Sequence, residues 1–428
     1  MGKAVRRTLY LLAALTLAGV AAVCALTCSD RYGSGDAGRT EQTGDAAAPV
    51  RPGEGAGETA EEESENDPSV RPGGIAGETA EEESEGDPSG RPGDVPGETA
   101  AEESEGDPSV RPEEEDVPGE DTTILIAGDV LFGNLFQMNY DKNGITGVVG
   151  DALLAELQEA DILLINNEFA FSDRGTPMEG KEFTFRCSPS YTAALDEMGV
   201  DVVSLANNHS LDYGREALSD TFAALDEAGI RYAGAGESEA RAGEVQIFEK
   251  NGKRFGILAV SRVVPVVSWK VENQTPGIFS CYDDTRLLSL VEEAKERCDF
   301  LVVYPHWGVE YEAYPEEYQT AIAKRTLAAG ADVVAGCHTH CLQGVEWLEE
   351  KPVFYSLGNF VFGKEIDQSA ILKITVAADN EVHYELLPVC AENGVTGLAE
   401  EDRAAQILRY LDSISPGAKI GEDGTVTK

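Results

Sequence analysis

The segment AGCHTHCLQG, residues 335–344, sets His338 and His340 one residue apart, between Cys337 and Cys341. A His-x-His pair leaving a strand can offer two imidazoles to one cation or to neighbouring cations. The chain has only five histidines, and four of them (His209, His306, His338 and His340) fall just past the C-terminal end of an apolar run. His383, in EVHYELL, is the exception. Asp129, Glu168 and Asn208 stand at the same kind of place. Neutral imidazole suits Zn, Mn, Fe or Ni, while carboxylate and amide oxygens favour harder ions such as Mn. The mixed set Asp129, Glu168, Asn208, His306, His338 and His340 is therefore read as a catalytic divalent-metal site. A structural zinc site would be closed and rich in thiolate. Cys337 and Cys341 lack the paired spacings of a zinc finger and are read as packing beside the strand.

His209 directly follows Asn208, so the two side chains need not share a target. With Asn208 on a metal, His209 is free to act as a general acid toward a leaving group, work that suits imidazole near neutral pH. Asp212, three residues on, could orient it. The alternative role for His209 is a second ligand or a cap for its loop. Ser204 and Ser356 lack the glycine pattern of a nucleophile elbow, and the chain has no phosphate-cradling Walker loop.

These residues need strands to end beside one another. Short apolar runs recur in TILIAGD, DILLINNE, DVVSLANNH, FGILAVS, FLVVYPHWG, DVVAGCHTH and VFYSLGNF. Amphipathic stretches alternate with them. Tyr191, Leu195 and Met198 keep helical spacing with Gly199 to stop the helix, as do Leu218, Phe222 and Leu225 with Gly229. Pro315 is expected to open a third helix, carrying Tyr318, Ile322 and Leu327, with Gly330 beyond. Alternating strand and helix means an α/β architecture with much parallel sheet, whose C-terminal strand edge is where ligands bind.

Composition separates this part from what precedes it. Lys3, Arg6 and Arg7 lead into an uncharged apolar stretch, Thr8–Thr27, expected to be a signal peptide or an N-terminal membrane anchor over residues 1–28. Cys24 and Cys28 offer places for lipidation, preceded by Val23 and Thr27. The rest of the chain should then lie outside the cytoplasm, tethered to the membrane. Within residues 29–120 the unit GETAEEESENDPSVRPG returns with a 20-residue period, starting at Gly57, Gly77 and Gly97. Units with almost no large apolar residue cannot offset chain entropy by burial. Residues 51–120 hold 24 acidic residues against 4 arginines, so the segment is expected to be a disordered, extended acidic stalk. The remaining residues, 121–428, carry a net charge of −26, which excludes the basic footprint of a nucleic-acid binder. Six of the eight cysteines lie there without the dense spacing of a disulfide scaffold.

The motifs AGDVLFGN, INNEFAFS, SLANNHSLDYG, YPHWGVEY, AGADVVAGCHTHCLQGVE and VFYSLGNFVFG resemble, in order and spacing, the CapA family of capsule-biosynthesis or poly-γ-glutamate synthesis proteins. The likeness runs from about Thr122 to Leu387. That family is similar to the calcineurin-like metallophosphoesterases. The resemblance implies an α-β-β-α fold, two packed sheets flanked by helices, over residues 121–395, followed by a C-terminal helix and tail over 396–428. It implies Asp129 as first ligand, Glu168 as a bridging or second carboxylate, Asn208 as amide ligand, and His306, His338 and His340 completing a set for one or two ions of Mn, Zn or Fe. His209 becomes the catalytic histidine. It also implies membrane attachment, a polyglutamate or phosphoester substrate, and other capsule-synthesis proteins as partners. Three positions depart from the pattern: Leu131 replaces a phosphoesterase histidine, Asn167 replaces a leucine, and Thr339 replaces a proline between the last two histidines. Two other functions fit the same residues: a surface phosphoester hydrolase unrelated to capsule, and a non-catalytic polymer-binding module.

Overall fold

The computed structural model describes residues 119–428. The apolar N-terminal stretch and the acidic repeat lie outside the described residues. Among those described, no helix is long and apolar enough to cross a membrane.

The chain enters a parallel half-sheet through β1 (Thr122–Val130), β2 (Ile162–Asn167), β3 (Val202–Ser204) and β4 (Arg231–Ala233). It then builds a second sheet from β5 (Gln246–Lys250), β6 (Lys253–Ser261), β7 (Phe300–His306), β8 (Val333–Ala335), β9 (Leu342–Leu348) and β10 (Lys351–Leu357). Finally β11 (Ile366–Val376), β12 (Val382–Glu392) and β13 (Val395–Leu398) return to the first sheet as an antiparallel meander beside β1. The orders are β13-β12-β11-β1-β2-β3-β4 and β9-β10-β8-β7-β6-β5.

Alternation along each strand makes the layers. Ile124 and Ile126 of β1, Ile162 and Leu164 of β2, and Phe300, Val302 and Tyr304 of β7 share one core between the sheets. The opposite faces, Leu125, Leu163 and Ile165 on one sheet and Leu301 and Val303 on the other, belong to two outer cores. Helices cover both. On the first sheet lie α1 (Asn134–Asn143), α2 (Asp151–Glu159), α3 (Thr192–Met198) and α4 (Gly214–Ala228), through Phe136, Leu157, Met198 and Phe222. On the second lie α5 (Thr285–Lys295) and α6 (Glu317–Ala329), through Leu287, Val291 and Ile322. The expected α-β-β-α arrangement of two sheets is what the chain forms.

One local expectation needs correcting. Pro315 does not open α6, because Glu316 is its N-cap and forms a reciprocal capping box with Gln319. The segment beyond α7 (Glu401–Ser413) carries two further short strands, Lys419–Ile420 and Val426–Thr427, which pair as a hairpin whose Ile420 and Val426 join the inner core.

Candidate metal centre

Each predicted ligand sits where a strand of the two sheets stops. On β2 the inward face continues past Ile162 and Leu164 to Asn166, and Glu168 follows on the same side just beyond the strand end. His306 ends the inward series Phe300, Val302, Tyr304 on β7. Asp129 comes inward after an irregularity in the β1–β2 register between Ile126 and Asp129. That irregularity lets Gly128 lie against Gly358: a Cβ on Gly128 would fall 1.8 Å from the Gly358 carbonyl oxygen. The Asp129 amide donates to Gly358 O at 3.0 Å, tying β1 to the turn that carries Asn359.

The predicted ligands converge. Glu168, His306 and His338 bring one donor atom each within 4.8 Å of one another, and so do Asp129, Glu168 and His340. Asn208 joins the first group, with its Oδ1 2.7 Å from His306 Nε2. Glu168 is common to both, as a bridging carboxylate would be. The two histidines of the His-x-His pair thus serve different groups. Both lie in the left-handed region, His338 at φ 100° and His340 at φ 56°. An extended strand would have sent both rings to one face. Such backbone costs on the order of 1–3 kcal/mol per residue and is held only where its surroundings enforce it. Leu131, the departure from the phosphoesterase pattern, packs in the outer core and offers the second group nothing.

Burial decides the electrostatics. Glu168 is fully buried, and neither of its carboxylate oxygens has a hydrogen-bond partner. Burial, and then the Asp129 charge, hold its carboxyl well above the usual range. Burial works against Asp129 as well, but the His340 hydrogen bond and charge, with the Asn166 amide at 2.8 Å, hold it below its ordinary value. Burial and the neighbouring imidazoles keep His306 well below the usual histidine range, and burial pushes His338 down to about 4. His340 goes the other way. Burial opposes its charge, but Glu168 and Asp129 outweigh that and push it up to about 9. An isolated buried carboxylate costs several kcal/mol unless a cation faces it. The buried His338 Nδ1 also lacks a partner. Carboxylate oxygens without hydrogen bonds, beside the neutral imidazoles of His306 and His338, are the kind of donor set a divalent cation takes.

His209 is set apart from this group. Its Nδ1 lies 2.7 Å from Asp212 Oδ2, and its ring packs on Phe185 at 4.6 Å. Burial lowers its pKa, and the Asp212 hydrogen bond works in the opposite direction. Several residues that the sequence did not single out complete the site. Lys181 Nζ forms an ion pair with Asp212 and donates to Asn208 O at 2.5 Å. Asn207 donates to Asn166 Oδ1 at 3.0 Å and accepts from the His209 amide at 3.0 Å. Asn359 Oδ1 lies 2.8 Å from His340 Nδ1. Cys337, expected only to pack, places Sγ 3.3 Å from His306 Nδ1 and could serve as a donor with Asp129 and His306. His383 stays away, 60% exposed on β12. The six cysteines of the described residues are all free.

The model of the family described as bacterial capsule synthesis protein PGA_cap matches residues 123–364, a span that contains every residue of this cluster. The capsule biosynthesis protein CapA of Bacillus anthracis is 28% identical over 309 residues, covering 68% of this chain and 73% of that relative. The PGA biosynthesis protein CapA of Bacillus subtilis (strain 168) is 30% identical over 253 residues, 58% of this chain and 66% of its own length. Among solved structures, a hypothetical protein from Thermus thermophilus is similar with a TM-score of 0.36 and 17% identity, over 64% of this chain and 96% of that one.

Proposed function

Because the chain belongs to the bacterial capsule synthesis protein PGA_cap family, we propose that it works in poly-γ-glutamate capsule synthesis as a metal-dependent hydrolase of the metallophosphoesterase type. The setting is supported by the relatives named for capsule and PGA biosynthesis. The single observation that carries the chemistry is Glu168, buried and without a hydrogen-bond partner on either oxygen, between the two donor groups.

Glu168, Asn208, His306 and His338 would hold one divalent ion. Asp129, Glu168 and His340 would hold a second more weakly, with Leu131 where a further donor would be needed. Manganese, zinc or iron suits this mixture of imidazole, carboxylate and amide. A divalent cation there would polarise a phosphoryl oxygen and lower the pKa of an attacking water. The remaining work falls to side chains. With Nδ1–H directed at Asp212, Nε2 is the nitrogen left to face a leaving group, and it would give a proton from the imidazolium form of His209. Lys181 balances the Asp212 charge and, through Asn208 O, couples that pair to the ligand loop. Asn207 fixes the backbone between Asn208 and His209, so that the two side chains diverge.

We place the folded part outside the cytoplasm, on a tether made by the N-terminal residues. The basic start and the uncharged stretch Thr8–Thr27 support export, with retention either as an anchor or through a lipidated Cys24 or Cys28. Polyglutamate or a phosphoester is the substrate, and other capsule-synthesis proteins are the partners.

Turnover of a nitrophenyl phosphodiester by manganese-loaded and chelator-stripped protein tests this reading. Loaded wild type should be active and stripped protein inactive. His209→Ala should keep metal and lose about 10²–10⁴-fold in rate on substrates with poor leaving groups, with partial recovery on the nitrophenyl ester. Asn208→Ala should lose metal as well as rate. No turnover of any phosphoester with any divalent metal would overturn the hydrolase and leave the cleft as a polymer-handling site.

A further inference from the structure

The loop after β6 touches the ligand cluster at both of its ends and holds two cations that no carboxylate neutralises. At one end the Arg262 amide donates to His306 O at 2.9 Å, beside the strand end that carries the ligand. At the other end Trp269 lies 5.2 Å from Lys181 Nζ, which itself donates to Asn208 O. The Arg262 guanidinium is seated on aromatic rings, with Cζ 3.8 Å from the centroid of Tyr282 and 5.1 Å from that of Tyr318. Its Nε is buried and has no partner. Lys270 Nζ lies 4.9 Å over the same Tyr282 ring. Among the described residues neither side chain forms an ion pair.

That arrangement is informative in this chain. The part from residue 121 onward has an excess of 26 negative charges, so acidic partners are plentiful, and many other cations are paired. A guanidinium stacked on a ring is held in place by its face and keeps the N–H donors of its edge for a planar oxyanion. The Tyr282 ring, half exposed, adds an apolar surface next to the two charges. A charge, an apolar stretch and another charge match a chain whose backbone repeats a carboxylate-bearing carbon, two methylenes and an amide. The net negative charge of the surroundings disfavours polyanions in general, so a carboxylate chain must be held by these local contacts and not by long-range attraction.

We propose that Arg262, Lys270 and Tyr282 form a subsite for the carboxylates of an extended substrate, a γ-linked glutamate chain, next to the bond presented to the ligand cluster. This rests on the reading that the cluster is a hydrolytic centre serving polyglutamate. Arg262 positions one carboxylate through its fork, Lys270 attracts the next, and the exposed edge of Tyr282, whose ring holds both cations, meets the methylenes.

Fluorescence anisotropy of a labelled γ-linked glutamate decamer on the full, manganese-supplemented chain tests the subsite, with free glutamate and tripolyphosphate as competitors. Arg262→Gln and Lys270→Gln should each weaken decamer binding about tenfold, the loss expected for one charge-assisted contact. Metal content should be unchanged, and free glutamate should compete poorly. Should Arg262→Gln fail to fold, Lys270→Gln decides. Decamer binding that is absent in wild type, or equal in wild type and both variants, would overturn the subsite. Tripolyphosphate binding that falls in Arg262→Gln while decamer binding holds would overturn its assignment to carboxylates. A wild type without metal or turnover, whose decamer binding still depends on Arg262, would remove the hydrolase and keep the subsite.

Discussion

Glu168 and His340 set the site's response to pH. Burial and Asp129 hold the Glu168 carboxyl above its usual range, so it keeps its proton to higher pH than an exposed glutamate does. The two carboxylates push His340 up to about 9, so the imidazole is protonated near neutrality while no cation is present. A cation must displace those protons, because the bound form carries fewer of them than the free form. Metal affinity should therefore rise with pH and level off above about 9, where His340 is already neutral. Calorimetric titration of manganese in two buffers of different ionisation heat should show net proton release at pH 7, and an unchanged signal between buffers would contradict it. The predicted ligand set was legible as a group because each residue closes an apolar run, and the structure brings those side chains together. Asn166, which the sequence did not single out, precedes Glu168 by two and continues the inward face of Ile162 and Leu164. Lys181 was not legible. It lies in a stretch without periodicity and reaches Asp212, 31 residues away, only because the loop folds back over α4.

At the scale of elements, the site depends on how closely β1 approaches the turn after β10. Gly128 has no room for a side chain, since a Cβ there would meet the Gly358 carbonyl at 1.8 Å. Gly128→Ala should cost roughly 1–3 kcal/mol through overpacking and move Asp129 out of reach of His340 and Asn166. Chemical denaturation with metal analysis of the folded protein checks both effects, and a variant with wild-type midpoint and metal content would show that the turn yields freely. The parallel strands and the glycine-stopped helices were legible: Gly199 at φ 84° and Gly229 at φ 68° end α3 and α4 where the spacing placed them. The β11–β12 hairpin was missed. Its strands mix buried with half-exposed residues, and their one clear marker is the turn at Asn380, φ 75°. His338 and His340 show the same limit, because a left-handed backbone at a non-glycine residue is imposed by tertiary contacts and leaves no pattern in the sequence.

For the whole molecule, the proposed function is that of a metal-dependent hydrolase held on an N-terminal tether. β1 begins at Thr122 and delivers Asp129 seven residues on, about 23 Å away at roughly 3.3 Å per residue. Residues 31–120 hold the acidic 20-residue repeat, whose composition offers no core of its own. Deleting them should leave the thermal midpoint of the folded part almost unchanged in calorimetry, while a fall of many degrees would show that they pack on it. Everything else depends on whether the buried carboxylate and imidazoles hold a cation. Elemental analysis of the purified chain beside His338→Ala and His340→Ala measures this directly. The account predicts one to two equivalents of manganese, zinc or iron in wild type, a loss of the main ion in His338→Ala, and a smaller loss in His340→Ala. Equal metal content in all three proteins, or none in any, would contradict it.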